Sequence, residues 1–173
     1  FIAFTKGLRG FIYLNLLRPL DTFLTHIPWW YTTGIFVAIG YFTVGLRFAF
    51  VTLLLLLFIG ANGIWPQAMI TLSSVLVSVI LCFAIGVPLG IIASYNERFR
   101  NVQNVVLDAM QTLPYFCYLI PVLMFFGGGT VSAVLATVIY SIPPIIRLTS
   151  LGLTQVSGTY SEVSRSFGGT LLQ

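Results

Sequence analysis

Long apolar runs separated by short polar or helix-breaking connections fill the chain from residue 28 onward. Residues 51–59, VTLLLLLFI, are one such run, with no charge in them. Crossing about 30 Å of hydrocarbon takes about 20 helical residues, and apolar stretches of roughly that scale predict five spans, near 28–46, 48–64, 67–95, 103–126 and 130–149. Residues 10–26 behave differently: GFIYLNLLRPLDTFLTH mixes apolar residues with spaced polar ones. That pattern predicts a helix lying in the membrane interface, broken at Pro19, with Trp29, Trp30 and Tyr31 anchoring the first span at headgroup level.

Composition agrees with a membrane setting. Of the 173 residues 58% are hydrophobic and 7% charged, against about 25% charged in a soluble domain. Arg47 is the one fully charged residue between Asp21 and Glu97. The basic residues are dispersed, which reads as a topology signal and not as a nucleic-acid patch. Charged and uncharged connections alternate along the chain, so the positive-inside rule puts the connection at 96–101 and the C-terminal segment in the cytoplasm. Parity then places the N-terminal stretch outside, although it holds Lys6, Arg9 and Arg18. Cys82 and Cys117 lie in apolar stretches as small hydrophobes, and His26 reads as an interfacial polar residue. No metal site, cofactor or catalytic group is expected, and without a Walker A sequence the chain is not expected to hydrolyse ATP itself. Opening on Phe1, with no signal peptide, it is expected to lack its true N-terminus.

Five of the eight prolines, Pro88, Pro114, Pro121, Pro143 and Pro144, fall within the last three spans. Each frees a backbone carbonyl, which in lipid is tolerated where protein or a watery cavity satisfies it, so these spans are expected to line an interior. Met110, Gln111, Thr112, Pro114 and Tyr115 set an amide and a hydroxyl beside a proline and are the candidate pathway-lining residues. Asp108 is an intramembrane acid and hence a functional candidate. Near the start of its span it also suits a helix N-terminus, which is the preferred reading.

Beyond the fifth span, residues 159–169 read TYSEVSRSFGG. Thr159 and Glu162 have capping-box spacing, and Gly168 and Gly169 supply a stop, so about two helical turns are specified. Tyr160, Val163 and Phe167 form an apolar stripe. A piece this short needs something to hold it; docking into a partner's groove and packing on its own protein are equally open from the residues alone.

Residues 162–168, EVSRSFG, resemble the EAA-type coupling motif of ABC importer permeases, departing from it at Val163 and Ser164, where alanines are usual. DAMQTLPYFCYLIPVLMFFGGG (108–129) and IPPIIRLTSLGLTQV (142–156) resemble permeases of the glycine betaine and proline betaine branch. The likeness covers roughly residues 65–173. It implies an all-α fold: a polytopic transmembrane helical bundle with a short cytoplasmic coupling helix, carrying an interfacial segment (1–27), two N-terminal membrane helices (28–64) and a permease core (65–173) truncated at its C-terminus. It further implies a multi-pass inner-membrane subunit that forms the translocation path. Its partners would be cytoplasmic ATPase subunits, an external substrate-binding protein, a second permease subunit and the lipid bilayer. Glu162, Val163, Arg165, Ser166, Phe167 and Gly168 would contact the ATPase. The alternatives are an ABC permease for choline, carnitine or an amino acid, and an ATP-independent secondary transporter or channel.

Overall fold

The computed structural model describes residues 2–155. The coupling residues Glu162, Val163, Arg165, Ser166, Phe167 and Gly168 lie outside the described residues. Within them the chain is helical and holds no strand: α1 (Ile2–Ile12), a π-helical turn (Tyr13–Leu17), α2 (Arg18–His26), α3 (Trp29–Thr43), α4 (Leu46–Ala61), α5 (Trp65–Tyr95), α6 (Glu97–Thr112), α7 (Phe116–Phe126) and α8 (Thr130–Thr154).

Two compact units emerge, one of residues 1–77 and 123–134, the other of 78–122 and 135 onward. In the first, Pro19 does not break the helix as the sequence suggested. The π turn absorbs it: Arg18 N–H reaches back five residues to the Tyr13 carbonyl, and proline, which has no N–H to place, takes the first turn of α2. The Asp21 carboxylate of α2 accepts a hydrogen bond from the fully buried Ser73 hydroxyl of α5, joining the N-terminal segment to a membrane helix.

Arg9 of α1 donates to the Phe126 carbonyl at 3.0 Å, beside Gly127, whose φ of +76° ends α7. A guanidinium thus caps the negative pole of α7. The same guanidinium also lies beside Gly127 and Gly129, 3.5 and 3.8 Å from where a Cβ on each would stand. Arg9→Ala is expected to leave the fold intact while removing about 1 kcal/mol of local protection. Hydrogen exchange across residues 124–130 should then quicken about fivefold; unchanged exchange would show the cap to be idle.

α3 and α4 form an antiparallel hairpin about Gly45 (φ +118°), with the Phe48 ring against the Gly40 backbone. They have 15 and 16 residues, so the first two expected spans are shorter helices than the sequence suggested. α5 and α8, with 31 and 25 residues, are long and apolar enough to cross a membrane.

In the second unit a stripe of small residues on α5 (Ser78, Cys82, Gly86, Gly90 and Ala93) is buried. The Cys82 thiol faces the Val138 carbonyl at 3.7 Å, and a Cβ built on Gly86 or Gly90 would stand 2.7 Å from Ile145 Cγ2 or 2.6 Å from Thr149 Cβ. Contacts advance in the same direction along both helices, so α5 and α8 run parallel there. This is close backbone approach of the small-xxx-small kind. Of the five prolines expected to face an interior, Pro143 is buried, whereas Pro88, Pro114, Pro121 and Pro144 are exposed. Pro88 shows why: it lies two residues from both Gly86 and Gly90, about 200° around the helix, so burying the glycine face turns the proline outward.

Candidate functional site

The expected span at 103–126 is not one helix. α6 begins earlier, at Glu97, because the Asn96 side chain accepts from the Phe99 N–H at 3.1 Å and caps its N-terminus. It ends at Thr112, and α7 departs at 90°. Pro114 is the cause. It drives the preceding Leu113 into extended backbone (φ −76°, ψ 134°), which stops the helix. Pro121, Pro143 and Pro144, by contrast, sit inside helices that continue through them.

All five pathway candidates lie at this break. Gln111, Thr112, Pro114 and Tyr115 are exposed and Met110 is half-buried. The Tyr118 hydroxyl donates to the Met110 carbonyl at 2.6 Å, pinning the start of α7 to the end of α6, and the Thr112 hydroxyl turns back to the Ala109 carbonyl at 3.0 Å. Tyr115 packs edge-on against Tyr140 of α8, ring centroids 6.0 Å apart, and against Phe116 at 5.7 Å. Sequence reasoning missed Tyr140, since nothing in the order of residues joins it to Tyr115.

This arrangement has a definite electrostatic character. A helix C-terminus carries partial negative charge from carbonyls without intrahelical partners, and a helix N-terminus the opposite sign. At the break the C-terminus of α6 and the N-terminus of α7 stand three residues apart, with aromatic rings beside them. Interrupted helices whose ends meet charged groups of a small solute are a recurring solution inside membranes, and aromatic faces attract cationic nitrogen. Among the described residues no group of three or more His, Cys, Asp or Glu side chains is placed to hold a metal ion.

Asp108, four residues before the break, is not a helix-start residue as the sequence suggested. It pairs with Arg147 of α8 at 2.5 Å, each side chain partly exposed at 64% and 41%. That pair spans 39 residues of sequence. A signal was available: Arg100, Gln103, Asn104 and Asp108 on α6, and Arg147, Ser150 and Thr154 on α8, recur at helical spacing and mark one polar face on each helix.

Comparison with known proteins places residues 86–173 in a match to the family described as binding-protein-dependent transport system inner membrane component. The chain is 46% identical over 136 residues to the glycine betaine/proline betaine transport system permease of Escherichia coli (strain K12), covering 79% of this chain and 38% of that protein. It is 39% identical over all 173 residues to the glycine betaine transport system permease of Bacillus subtilis (strain 168), 60% of whose length it spans. It is 38% identical over 147 residues to the trimethylamine N-oxide transport system permease of Ruegeria pomeroyi, covering 85% of this chain and 22% of that protein. The chain therefore spans less than two thirds of each of these relatives.

Proposed function

Because the chain belongs to the family of binding-protein-dependent transport system inner membrane components, we propose that it forms part of the membrane path of an ATP-driven importer for glycine betaine or a related methylated zwitterion. The observation that carries this reading is the break between α6 and α7. A small solute with a methylated, cationic nitrogen and a negative oxygen suits a break flanked by helix ends of opposite sign. In this reading the nitrogen rests toward the carbonyl end of α6 and the rings of Tyr115 and Tyr140, while the negative oxygen faces α7. Met110, Gln111 and Thr112 line the approach, and Pro114 keeps the two helices apart. Glycine betaine and trimethylamine N-oxide, which the relatives' names carry, share this pairing of methylated nitrogen with anionic oxygen.

The motor lies elsewhere. Glu162, Val163, Arg165, Ser166, Phe167 and Gly168 present the coupling surface to a separate cytoplasmic ATPase; an external binding protein delivers the solute, and a second permease subunit completes the path. Nucleotide and solute then bias the same inward- and outward-facing states from separate sites, which is allosteric coupling in the strict sense.

The test is reconstitution of the complete transporter in liposomes with labelled glycine betaine. Uptake is expected to require both ATP and the binding protein. Gly168→Val, which disturbs the end of the coupling segment, is expected to leave the permease in the membrane and lower solute-stimulated ATP hydrolysis about tenfold, the effect of losing about 1.4 kcal/mol of coupling. Uptake that proceeds at full rate without ATP would overturn the importer reading in favour of a secondary transporter or channel.

A further inference from the structure

A second site stands apart from the break. Where the first half of α6 lies along the last turns of α8, a cavity of about 420 Å³ opens within the second unit. For a chain with eight basic and four acidic residues in all, its walls are unusually polar. Arg100, Gln103, Asn104 and Asp108 come from α6, and Arg147, Ser150 and Thr154 from α8.

Its chemistry favours an anion. The Arg147–Asp108 contact at 2.5 Å cancels one charge of each sign and leaves the Arg100 guanidinium in excess. Arg100 faces Glu97 at 3.6 Å, longer than a hydrogen bond, and Glu97 is itself exposed. A guanidinium has five N–H donors and no acceptor, so donors from the two arginines and the amides outnumber the acceptors around them. Ser150 adds an independent sign of a missing partner: it is 6% exposed, lines the cavity, and its hydroxyl has no hydrogen-bond partner. A buried polar group left unpaired is costly, and an arriving acceptor relieves it.

We propose that this cavity binds a phosphate-ester anion. A phosphate group offers several oxygens to donors arriving from two helices, and the planar guanidinium fork matches it. The source that fits best is the headgroup of an anionic phospholipid. Ile146 and Leu151 give the cavity an apolar lip for an acyl chain, and the positive-inside rule sets this end of α6 at the cytoplasmic surface, where basic pockets between membrane helices take lipid phosphates. A soluble phosphate reaching the same surface is the other source.

The permease is purified in nanodiscs of phosphatidylcholine containing a minor fraction of phosphatidylglycerol, and retained lipid is measured by native mass spectrometry, with radiolabelled inorganic phosphate in a parallel dialysis. The wild type is expected to enrich phosphatidylglycerol about tenfold over its bulk fraction. Arg100→Gln, which removes the excess charge, should abolish that enrichment, and the neutral pair Asp108→Asn with Arg147→Gln, which leaves no lone charge behind, should reduce it several-fold. Lys6→Gln, outside the cavity's lining, should change nothing. Phosphate binding without lipid enrichment, lost in the same variants, assigns the soluble source. Wild-type lipid enrichment persisting in Arg100→Gln and in the double variant overturns the proposal, as does the absence of both ligands from the wild type. A photoactivatable phosphatidylglycerol on the wild type needs no variant to fold: crosslinks are expected in peptides covering 100–108 and 147–154, and their confinement to other segments counts against the site.

Discussion

Gly90→Leu is expected to drive α5 away from α8 and to leave little of the permease folded after solubilisation. The smallest possible side chain at this position already meets Thr149 Cβ at 2.6 Å and the Ile146 carbonyl oxygen at 2.9 Å. One of these contacts is backbone and the other is the branching carbon of a β-branched residue, so neither can swing aside. Overpacking a well-filled helix contact costs about 1–3 kcal/mol, and the upper end applies here because the helix itself must move. Fluorescence-detected size exclusion over a temperature ramp reads the result. Gly128→Ala is the control, since nothing lies within 4 Å of the added carbon. A Gly90→Leu protein that melts with the wild type would mean that the α5–α8 contact is not as drawn.

The second large effect is expected at the break. Pro114→Leu restores an N–H and lifts the restriction that holds Leu113 extended, while Tyr118→Phe removes the hydroxyl tying α7 to the Met110 carbonyl. The double variant is expected to insert normally yet transport poorly, because α6 and α7 gain the option of continuing as one helix, which closes the gap between their ends. A loss of about tenfold in solute uptake corresponds to about 1.4 kcal/mol of lost positioning. Undiminished uptake by reconstituted double variant would remove the break from the pathway. Because the Pro114 substitution acts on backbone geometry, circular dichroism should show a small rise in helix content alongside the loss.

Much of this was legible before any coordinates. The runs at 67–95 and 130–149 correspond to α5 and α8, whose apolar length leaves few alternatives. The candidates at 110–115 were marked by an amide and a hydroxyl beside a proline, but the helix break there was not expected, although proline's effect on the residue before it accounts for it. Residues 96–101 were read as a connection because they are charged, yet only Asn96 stands outside the helix and the charges sit on the first turn of α6. Hydropathy marks where lipid begins, not where a helix begins. Of the two tertiary pairs, Asp108 with Arg147 left a trace in the polar faces of α6 and α8, but Tyr115 with Tyr140 could not be read, since it depends on how the break lies against α8. Proline facing was misjudged for a related reason: the pyrrolidine ring is apolar on any face, and the glycines two residues away decide which face is buried.

The α3–α4 hairpin carries one more consequence. At about 1.5 Å per residue, helices of 15 and 16 residues reach roughly 22 to 24 Å, several ångströms less than an average bilayer's apolar thickness. With Trp29 and Trp30 as interfacial anchors at one end, the shortfall would gather at the tip, where Arg47 follows Gly45 by two residues. A bilayer of average thickness holding the hairpin by that end would have to thin to hydrate the guanidinium, and such hydrophobic mismatch carries a modest elastic cost for each ångström. Such a hairpin would dent its own surroundings, and thin, short-chain membranes would suit it better than thick ones.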